Sequence, residues 1–153
     1  MTLIQLLLSS PLIGSTPNLS VLKRFSPLEI RETIQSLVAD EKIELANALG
    51  DAGISIYPDS EDMLAICSLL AMMNQDWQTA IEMMDQLIAL QNDKVPPFTY
   101  VMMVRALRCN LEPARALEFA RKGLDKYPNQ VELIAEKLAL EEFDQSMLFN
   151  SGS

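Results

Sequence analysis

The side chains that most often perform chemistry in proteins are sparse in this chain. It contains no histidine and two cysteines, Cys67 and Cys109. Histidine is the usual base for a serine or cysteine nucleophile and a frequent ligand of metals, so these kinds of site are excluded. Neighbouring carboxylates such as Glu41 and Glu44 fall on helix faces that the sequence predicts to be solvated. The sequence therefore predicts no enzyme, no catalytic residue, no metal site and no cofactor.

The charge of the chain restricts the classes of partner. It carries 12 Lys and Arg against 21 Asp and Glu, a formal net charge of −9. Nucleic-acid binding depends on clustered basic side chains, so a nucleic-acid partner is not expected. An acidic surface suits a basic protein partner instead. The two cysteines indicate no disulfide framework, which favours a reducing compartment and a cytoplasmic location.

Residues 1–26 form a leader whose apolar part runs from Leu3 to Leu8. No basic residue precedes Lys23, and the apolar run is far shorter than the roughly 20 residues that a membrane span requires. The leader is therefore expected neither to be cleaved as a secretory signal nor to span a membrane. We expect a short helix that docks on the rest of the chain or on a partner, with a flexible tail as the alternative.

One pattern recurs along the rest of the chain, a helix in which an alanine stands near the start. The alanines are Ala46, Ala80 and Ala116, at sequence intervals of 80 − 46 = 34 and 116 − 80 = 36. A period near 34 is typical of tetratricopeptide repeats, in which two antiparallel helices cross at a small residue. Pro58 and Pro128 occupy the closing proline position of the first and third repeats. The chain thus resembles the tetratricopeptide family over residues 27–60, 61–94 and 97–130.

This resemblance implies an all-α fold, a right-handed TPR-like array of antiparallel helix pairs with three repeats and a capping helix. The predicted organisation is a leader over 1–26, a helical domain over 27–143 and a C-terminal tail over 144–153. The capping helix is predicted over 131–143, with Leu133, Ile134 and Leu138 inside and the glutamates outside. The family glycine of the first helix is missing from all three repeats.

In the family, the first helices of the repeats line a concave groove that binds protein ligands. The first helix of the second repeat, 61–74, is apolar almost all round, which indicates burial on every side or a partner outside the chain. The family positions place these residues in the groove: Leu28, Gln35, Val38, Ala65, Leu69, Met72, Met73, Phe98, Val101 and Arg105. An alternative interpretation makes Met72 and Met73 ordinary core residues.

Residues 64–81, with the layout of hairpins around them, are similar to the small co-chaperones of bacterial type III secretion that hold the needle subunit. The resemblance implies a chaperone whose apolar groove captures an amphipathic helix of a secretion-apparatus subunit and prevents early polymerisation. A second small chaperone is a further partner that this resemblance implies. Two alternatives stay open: a generic TPR scaffold that bridges proteins, and a self-associating helical module that forms a homodimer.

Overall fold

The computed structural model describes residues 2–5 and 19–151, with side chains through Asp144. Every regular element in these residues is a helix, so the all-α prediction is confirmed for them. Residues 3–5 form a helical turn, and Asn92–Lys94 form a short 3-10 helix. The α-helices are α1 Leu19–Leu22, α2 Pro27–Ala39, α3 Ile43–Ile56, α4 Glu61–Met73, α5 Trp77–Gln91, α6 Pro97–Cys109, α7 Pro113–Lys126 and α8 Val131–Ser151.

The chain divides into two compact units, Met1–Asp76 and Trp77–Ser153, where the sequence predicts one helical domain over 27–143. In unit 1, α3 packs against α2 and α4; in unit 2, α6 packs against α5, α7 and α8. The predicted pairing of α4 with α5 would join the two units, and it stays a prediction.

Local hydrogen bonds fix where the helices of unit 1 begin. The Ser26 hydroxyl accepts a hydrogen bond from the Glu29 amide at 3.1 Å, and the Glu29 carboxylate accepts one from the Ser26 amide at 3.2 Å. Pro27 occupies the first turn, where a missing amide hydrogen costs nothing. Ser60 caps α4 through a hydrogen bond from the Met63 amide at 3.3 Å. Both helices thus begin at a serine, a residue type that is a recognised start signal in a sequence.

Glycine allows α3 to approach α2 closely. A Cβ at Gly53 would lie 3.2 Å from the Ile30 side chain, and one at Gly50 would lie 4.0 Å from that of Ile34. The later glycine of α3 thus lies beside the earlier isoleucine of α2, and the earlier glycine lies beside the later isoleucine. The two helices are antiparallel.

The same glycines face α4 on their other side. A Cβ at Gly53 would lie 2.5 Å from Cε of Met63, and one at Gly50 would lie 2.8 Å from Cδ1 of Leu70. Because α4 also runs opposite to α3, α2 and α4 run in the same direction. Residues on the outer faces of these two helices can therefore form one surface.

Unit 2 repeats this arrangement at a constant offset in sequence. The glycine of α7, Gly123, follows Gly53 by an offset of 123 − 53 = 70. A Cβ at Gly123 would lie 2.8 Å from the Leu133 side chain and 3.0 Å from Cγ of Tyr100. These two neighbours follow the Met63 and Ile30 neighbours of Gly53 by the same offset. Helices α2, α3 and α4 of unit 1 are therefore equivalent to α6, α7 and α8 of unit 2.

A tyrosine hydroxyl forms the same hydrogen bond in each unit. The Tyr57 hydroxyl donates a hydrogen bond to the Phe25 carbonyl at 2.8 Å, and the Tyr127 hydroxyl donates one to the Val95 carbonyl at 2.7 Å. Each bond ties the end of α3 or α7 to the residue two positions before the first helix of the set. Donor and acceptor are separated by the same length of chain in both bonds, which is further support for the equivalence of the two sets.

The three predicted repeats share one turn between their helices. Glu41, Gln75 and Leu111 have φ angles of 62°, 60° and 61°, in the left-handed region. Their intervals, 75 − 41 = 34 and 111 − 75 = 36, equal those of the three alanines. The alanines Ala46, Ala80 and Ala116 are all 0% exposed. The repeat register predicted from the alanines therefore coincides with recurring backbone geometry.

The turn at Leu111 leads to a first prediction. A leucine with positive φ is strained by ~1–2 kcal/mol, whereas glycine is not. Leu111 is also 86% exposed, so its side chain contributes little packing. We expect Leu111→Gly to raise the free energy of unfolding by ~0.5–1 kcal/mol relative to Leu111→Ala, measured by urea titration. The alanine variant is the matched control, because it removes the same side chain and keeps the Cβ. A glycine variant no more stable than the alanine variant would contradict the turn geometry.

The two ends of the chain differ in how they meet the predictions. Helix α8 continues to Ser151, so residues 144–151, predicted as part of a tail, are helical. Near the N-terminus, Leu3 is 5% exposed, and Thr2–Gln5 line a cleft together with α2. This is the packing expected of a docked leader, and the prediction for 6–18 lies outside the described residues.

Candidate functional site

Helix α4 buries nearly all of its circumference. Its buried residues are Met63, Leu64, Ile66, Cys67, Ser68, Leu70 and Ala71. Ala65, Leu69 and Met72 remain partly exposed, and Met73 is 43% exposed. Their i, i+4, i+7 spacing places Ala65, Leu69 and Met72 on one face of the helix. The apolar helix predicted from the sequence therefore leaves one accessible apolar face.

Helix α2 continues this face in unit 1. Leu28 is 51% exposed, Gln35 is exposed and Val38 is partly exposed. An ion pair between Arg31 and Asp62, 3.0 Å apart, joins α2 to the first turn of α4. Its two side chains are about one-third exposed, so it lies at the surface. We define the α2–α4 face by these residues: Leu28, Gln35, Val38, Ala65, Leu69, Met72 and Met73.

The three site residues predicted on α6 behave differently from one another. Phe98 is 61% exposed and is the unit 2 equivalent of Leu28, so both units expose a large apolar side chain there. Val101 is 0% exposed, which makes its predicted role in an open groove wrong: the side chain belongs to the interior of the fold. Arg105 is partly exposed and contacts Glu132 at 3.2 Å and Glu136 at 3.4 Å.

The arginines on the first helices are already paired. Arg31 contacts Asp62, Arg105 contacts Glu136, and Arg108 also contacts Glu136, at 2.9 Å. A free peptide carboxylate would have to compete with these acids for the same guanidinium groups. The faces of α2 and α6 are therefore poorly suited to bind an acidic peptide terminus.

Three residues of α8 differ from what the sequence predicted. Phe143 is 50% exposed and is the unit 2 equivalent of Met73, a correspondence that an alignment of α8 with α4 would have revealed. Leu133 is 0% exposed, as predicted. Ile134 and Leu138, predicted to lie inside, are 39% and 56% exposed, because Leu133 and Leu140 form the buried side of the helix.

Burial makes the Cys67 thiol unreactive. The thiol is 7% exposed and donates a hydrogen bond to the Gly50 carbonyl at 3.4 Å. Loss of solvation on burial is the larger cause that raises the pKa of Cys67 from 9.0 to about 12, and the negative charge of Asp51 is the smaller one. Cys67 falls in the first helix of the second predicted repeat, but its side chain is not at the surface of that helix. Cys109 is exposed.

The cysteines lead to a second prediction. At pH 8 the thiolate fraction of Cys67 should be roughly a thousandfold below that of an ordinary thiol, because its pKa is raised. We expect a thiol reagent to label Cys109 quickly and Cys67 slowly in the folded protein, with labelling of Cys67 accelerating as pH rises toward its pKa. Mass spectrometry of labelled peptides measures both rates. In denaturant both sites should react rapidly, and equal rates in the folded protein would contradict the burial of Cys67.

A cleft lies between residues 2–5 and α2, with a volume of about 730 Å³. Its charged lining residues are Glu29 and Glu32, with no basic side chain among the lining residues. Within residues 2–5 and 19–144, no three His, Cys, Asp or Glu side chains group closely enough to hold a metal ion. The α2–α4 face, by contrast, has a composition that suits an apolar ligand.

Of the described helices, none has the length and apolar character that crossing a membrane requires. A comparison with protein families finds no family that matches this chain. A comparison with curated proteins likewise finds no match.

Proposed function

We propose that this protein is a TPR-like chaperone that captures an amphipathic helix of a type III secretion subunit on its α2–α4 face. The observation that carries the proposal is the accessible apolar stripe of Ala65, Leu69 and Met72 on a helix otherwise buried. A ligand helix with apolar residues at similar spacing would cover this stripe. Such coverage would keep the captured subunit from associating with its own copies.

The composition of the α2–α4 face supports a helical ligand. Met72 and Met73 have flexible, polarisable side chains that adapt to varied apolar surfaces. Leu28 and Met73 are 51% and 43% exposed, and large apolar side chains at such exposure are frequent at binding surfaces. The parallel course of α2 and α4 provides two neighbouring helices for the ligand to contact.

The repeat array itself is part of this proposal. The equal intervals of the buried alanines and the left-handed turn residues support three TPR-like repeats, with α8 as the capping helix. In that array, the first helices of the repeats would line a common groove. The proposed setting is the bacterial cytoplasm, with a second small chaperone as an additional partner.

Two other functions of the same surface remain distinct alternatives. A generic scaffold would use the α2–α4 face to bridge proteins unrelated to secretion. A self-associating module would cover the face with a second copy of the chain. The identity of the captured protein and the molecular mass in solution separate these alternatives from the proposal.

The test is a third prediction, on capture of the partner. Tagged protein is isolated from its native host, and co-purifying proteins are identified by mass spectrometry. We expect the parent to retain a subunit of the secretion apparatus and Leu69→Glu and Met73→Glu to lose it by at least tenfold. A carboxylate in the stripe would have to be desolvated against the apolar side of the ligand, which costs several kcal/mol. Leu111→Glu is the matched control, since Leu111 is exposed and lies on a turn.

The outcomes that would contradict the proposal are specific. Retention of the same subunit by Leu69→Glu and Met73→Glu would place the binding site elsewhere. Loss of only non-secretion proteins would favour the scaffold. A dimeric parent that becomes monomeric in Leu69→Glu would favour self-association.

A further inference from the structure

Helix α8 exposes a second apolar stripe, in unit 2. Val131, Ile134 and Leu138 are 75%, 39% and 56% exposed. Their i, i+3, i+7 spacing places them on one side of the helix. Leu133 and Leu140, which are 0% and 4% exposed, form the side that packs into the unit. We call Val131, Ile134 and Leu138 the α8 stripe.

The equivalent side of α4 is covered. Ile134 and Leu138 are the unit 2 equivalents of Leu64 and Ser68, and both of these are 2% exposed. This side of the third helix is therefore buried in unit 1 and exposed in unit 2. Because this side of α4 packs against other parts of the protein in unit 1, we infer that the equivalent side of α8 in unit 2 can also pack against another element.

The charges beside the stripe differ along the helix. Near its start, Glu132 contacts Arg105 at 3.2 Å. On the side next to α7, Glu141 contacts Arg121 at 3.4 Å and Lys137 at 3.8 Å. These acids are neutralised by basic groups of the same unit.

One acid at the far end of the stripe has no such neighbour. Glu142 lies four residues after Leu138, on the same side of the helix. It is exposed and forms no ion pair with any residue that the structure describes. The stripe is thus an apolar side that ends in uncompensated negative charge. A ligand that fits it combines apolar side chains with a positive charge placed near this end.

We propose that the α8 stripe binds an amphipathic helix of a second protein that carries Lys or Arg beside its apolar side. A helix is the natural occupant because the equivalent side of α4 is packed within a helical protein. A second copy of the chain fits poorly, because each copy has a net charge of −9 and would bring further acids to Glu142. This surface lies on a different unit from the α2–α4 face, so the two sites can be tested separately.

The experiment uses two synthetic helical peptides with identical leucine stripes, one flanked by lysines and the other by glutamates. Binding to the full chain is measured by fluorescence anisotropy. We expect the lysine peptide to bind at least tenfold more tightly than the glutamate peptide. The double variant Ile134→Ser with Leu138→Ser should weaken the lysine peptide at least tenfold. The variant Glu142→Lys should weaken the binding of the lysine peptide and narrow the preference between the two peptides.

Two controls locate the binding on α8. Leu111→Ser removes a side chain that is 86% exposed and lies on the turn between α6 and α7, so it should leave the affinity unchanged. Leu69→Glu alters the α2–α4 face and should also leave it unchanged. Loss of peptide binding in Leu69→Glu alone would overturn the α8 site and assign the peptide to the α2–α4 face.

Three further results would overturn the proposal. The first is equal binding of the lysine peptide to the parent and the Ile134→Ser, Leu138→Ser variant. The second is unfolding of that variant, seen by circular dichroism, because exposed side chains should tolerate serine. The third is a parent dimer, seen by sedimentation, that this variant dissociates, since a second copy would then be the occupant.

Discussion

Leu70→Glu is expected to unfold the protein at room temperature, whereas Leu69→Glu is expected to leave it folded. Leu70 is 4% exposed. A Cβ added to Gly50 would lie only 2.8 Å from Cδ1 of Leu70, so α3 packs directly against this side chain. A carboxylate at this position would be desolvated without a partner. That costs several kcal/mol, which is comparable with the whole stability of a typical domain, about 5–15 kcal/mol.

Leu69 is the matched position, one residue away on the same helix. Its side chain is partly exposed, so a glutamate there can turn its carboxylate toward water. We expect a loss of ~1 kcal/mol or less from this change. Circular dichroism and thermal melting measure both variants, and the parent gives the reference helicity.

The contrast between these two leucines decides whether the α2–α4 face is a surface. Collapse of both glutamate variants would show that Leu69 belongs to the core, and the proposed chaperone would lose its physical support. Survival of both would show that α4 does not pack against α3 as described. The structure is supported only if Leu70→Glu is far less stable than Leu69→Glu.

The second large effect is expected at the predicted crossing alanine of the middle repeat. Ala80 is 0% exposed in α5, so three additional carbons of a leucine have no space there. We expect Ala80→Leu to lower the free energy of unfolding by ~1–3 kcal/mol through overpacking. Urea titration at constant temperature measures this difference.

Ala89→Leu is the control, because Ala89 lies in the same helix and is exposed. Alanine and leucine have similar helix propensities, so this change should be within ~0.5 kcal/mol of the parent. An Ala80→Leu protein as stable as the parent would contradict the repeat register, whereas an equal loss in both variants would indicate an effect of the helix itself.

Features governed by nearby residues could be predicted from the sequence. Ser26 with Glu29, and Ser60, begin α2 and α4 because a cap depends on groups within one turn of the chain. The intervals of Ala46, Ala80 and Ala116 predicted the repeat register because a crossing tolerates only a small side chain. Three left-handed turns recur at those intervals, although no glycine in the sequence indicates them.

The candidate site was predicted only in part, because exposure depends on neighbours distant in sequence. Leu28, Met73 and Phe98 are exposed as a binding surface requires, but Val101, one helical turn after Phe98, is fully buried. Three steps along a helix correspond to a rotation of about 300°, so Val101 lies only about 60° around α6 from Phe98. Its burial is therefore set by the side chains packed around that position, which the family positions do not specify.

Where apolar residues surround a helix, the sequence did not predict which side of it is buried. In α4, an almost continuous apolar run gives no period that distinguishes Leu69 from Leu70. In α8, Leu133, Ile134 and Leu138 are equally apolar, yet the first is buried and the other two face solvent. Composition thus determined that these segments are packed helices. Only the tertiary structure decided which side each helix buries, because that side is set by the helices beside it.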